Sequence, residues 1–64
     1  MKTLWYYIAR DDKFEEFEKV LDKVENSIPC FTEVKDVEMN FVELIVKCRE
    51  DDAAFVEKSF APFV

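Results

Sequence analysis

The chain contains no glycine and no histidine. Without glycine there is no Gly-rich phosphate loop, no dinucleotide-binding fingerprint and no nucleophile elbow of the G-x-S-x-G type. The commonest nucleotide-binding and hydrolase designs are therefore excluded. Without histidine, the side chain most often used as general base or metal ligand is missing. Positive charge is also scarce: 9 Lys and Arg stand against 15 Asp and Glu, a net charge of −6. Phosphate recognition needs a basic patch, so nucleic acid is not an expected partner. No apolar run is long enough to cross a bilayer and no signal segment precedes the first strand. The expectation is a cytoplasmic protein that does not engage membranes.

What is present is apolar and aromatic. Of the 64 residues, 50% are hydrophobic and 16% are aromatic, a generous allotment for one small domain spanning 1–64. A core of this size is marginal on its own, and a second copy or a host partner would add stability.

The stretch from Cys30 to Cys48 reads as a β-hairpin that sets the register of the rest. A three-residue loop of Glu38, Met39 and Asn40, closed by Asn40 in the left-handed conformation, places Val37 opposite Phe41. Lys35 then faces Glu43, Val34 faces Leu44, Thr32 faces Val46 and Cys30 faces Cys48. Alternation puts Cys30, Thr32, Val34, Val42, Leu44, Val46 and Cys48 on a core face, with Asp36 the one charge there. Phe31, Glu33, Lys35, Val37, Phe41, Glu43, Ile45 and Lys47 take the other face.

Lys2 to Arg10 is rich in aromatic and β-branched residues and forms the first strand. Both of its sides are apolar. Leu4, Tyr6 and Ile8 are expected inward, leaving Trp5 and Tyr7 on the open side. A helix follows, capped by Asp11 or Asp12 and running to about Asn26, with Phe14, Phe17, Val20, Leu21 and Val24 as its apolar stripe. Asn26 is suited to a left-handed cap, and Pro29 biases Ile28 toward extended backbone. After the hairpin, Glu50-Asp51-Asp52 offers a second capping cluster. A shorter helix from about Asp51 to Phe60 buries Ala53, Val56 and Phe60, and Pro62 stops it.

The order is β-α-β-β-α, an α+β chain. A right-handed crossover makes the first and second strands parallel, and the third fits between them. The result is a three-stranded antiparallel sheet of order 1-3-2 with two helices on one face. This topology resembles the ferredoxin-like fold without its fourth strand. The resemblance is one of topology over the whole chain and transfers no activity. The missing strand would have paired with the first, so the first strand is an edge without charge, proline or bulge to protect it. The alternative is that the tail from Ala61 to Val64 folds back over it.

The open face would carry Trp5, Tyr7, Phe31, Glu33, Phe41, Ile45 and Lys47. Sheets of this topology can stack RNA bases on such aromatics, but basic residues are few and the RNP signature is absent. An aromatic patch with a charged rim suits a protein partner. Catalysis is not expected. Paired carboxylates such as Asp11–Asp12 sit where capping accounts for them. Cys30 and Cys48 lack the C-x-x-C spacing that activates a thiol, and two cysteines do not complete a metal site. No cofactor is expected. The sequence therefore points to a small acidic protein-binding module, an adaptor, subunit or inhibitor. It would act through the first strand and Trp5, Tyr7, Phe31, Phe41 and Ile45, with a homodimer through that strand among its forms. The alternatives are a dimeric ligand-sensing regulatory domain and, more remotely, a cysteine-based redox or metal protein.

Overall fold

A computed structural model describes all residues, 1–64. Strand β1 is Lys2–Ala9, helix α1 Phe14–Ser27, β2 Cys30–Glu38, β3 Phe41–Cys48 and helix α2 Ala53–Phe60. Short 3-10 turns flank α2 at Glu50–Asp52 and Ala61–Phe63. The sheet has three strands in the order β1-β3-β2, and β3 runs antiparallel to both neighbours. This is the α+β arrangement of a ferredoxin-like fold without its fourth strand.

The core lies between one sheet face and the two helices. Ile8 from β1, with Val42, Leu44, Val46 and Cys48 from β3, meets Phe17 and Val24 of α1 and Ala53, Val56 and Phe60 of α2. Alternating residues on β3 fall into this layer because a strand presents every second side chain to one face. An aromatic chain runs through it: Phe17 stands 5.8 Å from Phe60 and 5.4 Å from Phe14, and Phe60 stands 5.7 Å from Tyr6. Tyr6 on Phe60 places α2 over β1, while the Thr32 hydroxyl donating to the Glu25 carboxylate places α1 over β2.

The hairpin keeps the expected pairs Cys30–Cys48, Thr32–Val46, Val34–Leu44 and Lys35–Glu43. It departs from expectation at the tip. Glu38, not Val37, faces Phe41, and Val37 is the extra residue of a bulge between Asp36 and Glu38. The loop is thus Met39-Asn40. No residue in the chain has positive φ, so Asn40 does not take the left-handed conformation. Turns of that kind splay a hairpin, and a bulge restores the local twist. Both solutions consume one extra residue on the β2 side, so the pairs farther from the tip are unchanged.

Other local expectations are corrected in the same way. Asn26 is not a left-handed cap; its amide donates to the Asp22 carbonyl at 2.8 Å, and α1 continues to Ser27. Ile28 then takes extended backbone ahead of Pro29, as the proline demands. Neither Asp11 nor Asp12 is the cap residue of α1, which is Lys13 without a side-chain bond; Asp11 instead closes the turn before it, its carboxylate accepting the Lys13 amide at 2.9 Å. Glu50, Asp51 and Asp52 cap nothing; they form the 3-10 turn, and Asp52 takes the Arg49 guanidinium at 3.1 Å. Val34 faces the helix side but is 43% exposed, because the helices do not reach the outer half of β2. No helix is long and apolar enough to cross a membrane.

Candidate partner-binding edge and sheet face

The strand register arranges the open face in rows. Thr3, Lys47 and Phe31 form one row across β1, β3 and β2; Trp5, Ile45 and Glu33 the next; Tyr7, Glu43 and Lys35 the third; Ala9, Phe41 and Glu38 the last. Nothing covers these side chains. Trp5 is 63% exposed, Tyr7 64%, Phe31 71% and Phe41 40%, while Ile45 at the centre is half-buried among them. The predicted inward set on β1 is the observed one: Ile8 is buried, and Leu4 and Tyr6 pack against the core. The structure therefore gathers Trp5, Tyr7, Phe41, Ile45 and Phe31 on one surface. Phe31 sits at its far corner, separated from Trp5 by Lys47 and Ile45. Exposed aromatic surface of this kind, rimmed by charge, is the usual mark of a protein-contact surface.

The backbone of β1 supplies the second component. The Arg10 amide donates to the Asn40 carbonyl at 2.7 Å, which continues the β1·β3 register one step beyond Ala9–Phe41. In an antiparallel ladder, residues whose N–H and C=O point at the partner alternate with residues whose groups point away. Arg10 points at β3, and so do Ile8, Tyr6, Leu4 and Lys2. The N–H and C=O groups of Thr3, Trp5, Tyr7 and Ala9 follow the opposite alternation and point outward.

 These outward groups on Thr3, Trp5, Tyr7 and Ala9 meet no backbone partner within the chain, because β3 is the only strand beside β1. The C-terminal turn makes no backbone hydrogen bond to them, contrary to the alternative raised by the sequence. It seats Phe63 against Phe17 at 5.9 Å, faces Ile8 and Ala9 only across a cleft at the end of the strand, and its amides bond Glu57 and Ala61.

The sheet's other border differs in kind. The β3 groups not used by β1 bond the odd residues of β2, so the outer edge of β2 exposes the backbone of Cys30, Thr32, Val34 and Asp36. Glu33, Lys35, Asp36 and Glu38 crowd this edge, the Val37 bulge kinks it, and Arg10 reaches across the sheet to Asp36. Charge and bulges are the devices that keep an edge strand from pairing. Lys35 pairs along its own strand with Glu33 at 3.6 Å and not across to Glu43. β1 carries neither device between Thr3 and Ala9.

Cys30 and Cys48 stand opposite each other at a position that does not exchange backbone hydrogen bonds, where Cα atoms approach to about 4.5 Å. Both are free thiols. Burial, reinforced by Glu25 and then by Cys48 and Asp52, pushes the Cys30 thiol above its ordinary value, which disfavours the reactive thiolate. No cluster of three or more His, Cys, Asp or Glu side chains that could hold a metal is gathered anywhere. A cleft of about 190 Å³ lies between Ile8, Ala9, Asp11, Lys13 and the tail from Pro62 to Val64, and a wider, open depression of about 440 Å³ lies at the hairpin tip between Arg10 and Asp36 to Met39.

Sequence reasoning found the aromatic face and the edge strand, but not which backbone groups the edge offers. No sequence signal gives it: the alternation is fixed for the whole strand by the register with β3 and a single hydrogen bond at the end of the ladder. Comparison with protein-family models, with curated proteins and with solved structures finds no match to this chain.

Proposed function

We propose that this chain is a small acidic protein-binding module that takes a partner's strand along β1 and contacts it with the adjoining aromatic face. The observation that carries this reading is the unpaired outer edge of β1, an uncharged run from Thr3 to Ala9 beside exposed Trp5 and Tyr7. Strand addition draws its affinity from main-chain hydrogen bonds and its selectivity from side chains on alternate positions. Here the outward backbone groups and the exposed aromatic side chains belong to the same residues, so a strand docking on the edge meets both. Aromatic residues are also those that most often dominate contact energies. The acidic surface on α1 and β2 lies away from this edge and discourages nucleic acid.

A photo-cross-linking residue at position 5, compared with one at Glu18 on the exposed side of α1, tests the reading in the native cell. Adducts to a protein from position 5, lost in Ala9→Pro, are expected. Adducts formed only from position 18 would move the binding surface to α1 and overturn it.

A further inference from the structure

The proposed strand-binding edge is self-complementary, and we infer that its occupant is the β1 of a second copy, paired antiparallel about a two-fold axis through Tyr6. This inference rests on the reading of β1 as a pairing edge and adds the identity and register of what pairs there.

The outward-facing residues Thr3, Trp5, Tyr7 and Ala9 lie symmetrically about Tyr6. A two-fold at Tyr6 opposes Thr3 to the second copy's Ala9 and Trp5 to its Tyr7. Each such pair exchanges two backbone hydrogen bonds, so every outward N–H and C=O from Thr3 to Ala9 is used. Centring the axis on Trp5 instead leaves Ala9 beyond the last pair.

Side chains agree with the same register. On the open face each Trp5 lies beside a Tyr7, an aromatic cross-strand pair of the stabilising kind, and Thr3 lies beside the small Ala9. On the helix side Leu4 meets Ile8 and Tyr6 meets its own copy. No charge opposes a like charge between Thr3 and Ala9. At the two ends Lys2 meets Arg10, whose charge is already engaged by Asp36. The axis runs perpendicular to the sheet, so both helical layers fall on one side and the two aromatic faces merge on the other. Charge distribution permits a like-charged copy here: the carboxylates behind the net charge of −6 lie mainly on α1, β2 and the turn before α2, away from this border.

The experiment combines sedimentation equilibrium with disulfide trapping. In a Cys30→Ala background, with Cys48 buried, Trp5→Cys and Tyr7→Cys proteins are oxidised alone and as a mixture. Opposed Cα atoms in such a pair lie about 5.5 Å apart, inside the range a disulfide spans. The mixture is expected to give the mixed disulfide in excess of either self-linked product. Ala9→Pro removes an outward amide and so two hydrogen bonds per dimer, and is expected to weaken association roughly thirtyfold. Val34→Pro makes the same change on the outer edge of β2 and is expected to leave association unchanged; circular dichroism reports whether each variant folds. Preferential self-linking of Trp5→Cys would overturn the register. A wild-type monomer at several hundred micromolar would overturn the dimer itself. If that monomer still cross-links to a foreign protein through position 5, the pairing-edge reading stands and only the identity of the occupant fails.

Discussion

Tyr6→Phe is expected to stabilise the monomer. The Tyr6 hydroxyl is the one buried side-chain polar atom without a hydrogen-bond partner. Its row on the helix side of the sheet offers only Leu44 and Val34, and the ring packs on Phe60 at 5.7 Å. An unpaired buried hydroxyl costs about 1–3 kcal/mol, whereas the phenyl ring keeps all of the packing when the oxygen is removed. Taking the lower part of that range, the variant gains about 1–2 kcal/mol. In a domain of this size each 1 kcal/mol moves the midpoint by roughly 4–8 °C, so thermal unfolding at low protein concentration resolves the effect readily. The same oxygen predicts a pH signature. Burial first, then Glu57 and Cys48, raises the Tyr6 pKa above its ordinary 10.0. A raised pKa means stability is fully present below the unfolded value and is lost as pH climbs through the folded one. The wild type should therefore lose more stability than Tyr6→Phe between pH 9 and pH 11, an interval chosen to bracket ordinary tyrosine ionisation at about 10. A variant less stable than wild type at neutral pH would refute the reasoning, and would mean that the hydroxyl bonds a group such as Glu57.

Three further outcomes are expected. Ile8→Lys places a charge at a buried core position with no carboxylate in its row except exposed Asp36, and should cost about 3–5 kcal/mol, while Trp5→Lys on the open face should stay within about 1 kcal/mol by urea unfolding. Asn40→Gly should lower stability by up to about 1 kcal/mol, because Asn40 has negative φ and glycine adds only unfolded-state freedom; a gain would restore the left-handed loop. Cys30 should alkylate more slowly than a free cysteine at pH 8 when followed by mass spectrometry, since its raised pKa keeps it protonated; equal rates would contradict the burial assigned to it.

The fold was largely legible because β3 is a near-continuous apolar strand, and a strand buried on one face and flanked on both sides leaves little choice of topology. The hairpin tip was not. A loop of three residues and a loop of two with a bulge at Val37 place residues 30–36 against 42–48 identically, so alternation is blind to the difference. Val34 shows another limit. Periodicity assigns a side chain to a face, but whether a helix reaches far enough to cover it depends on packing distant in sequence. The acidic run Glu50-Asp51-Asp52 has the composition of a cap and the geometry of a 3-10 turn, since local carboxylates compete for backbone amides and solvent alike. The candidate surface was readable as a set of aromatics because Trp5 and Tyr7 alternate with Leu4, Tyr6 and Ile8. What decided between those two sets was the register with β3.

The contrast between the two borders of the sheet determines the stoichiometry that strand pairing would allow. A unit with two receptive ends polymerises, whereas a unit with one is monofunctional and stops at the first addition. Joining two copies through β1 leaves β2 outermost at both ends, and there Glu33, Lys35, Asp36, Glu38 and the Val37 bulge refuse further strands. In such a dimer the hairpin tip that sequence misread would act as a chain terminator. Deleting Val37 and neutralising its charged neighbours would turn a terminating unit into a bifunctional one, and the product would be a fibre.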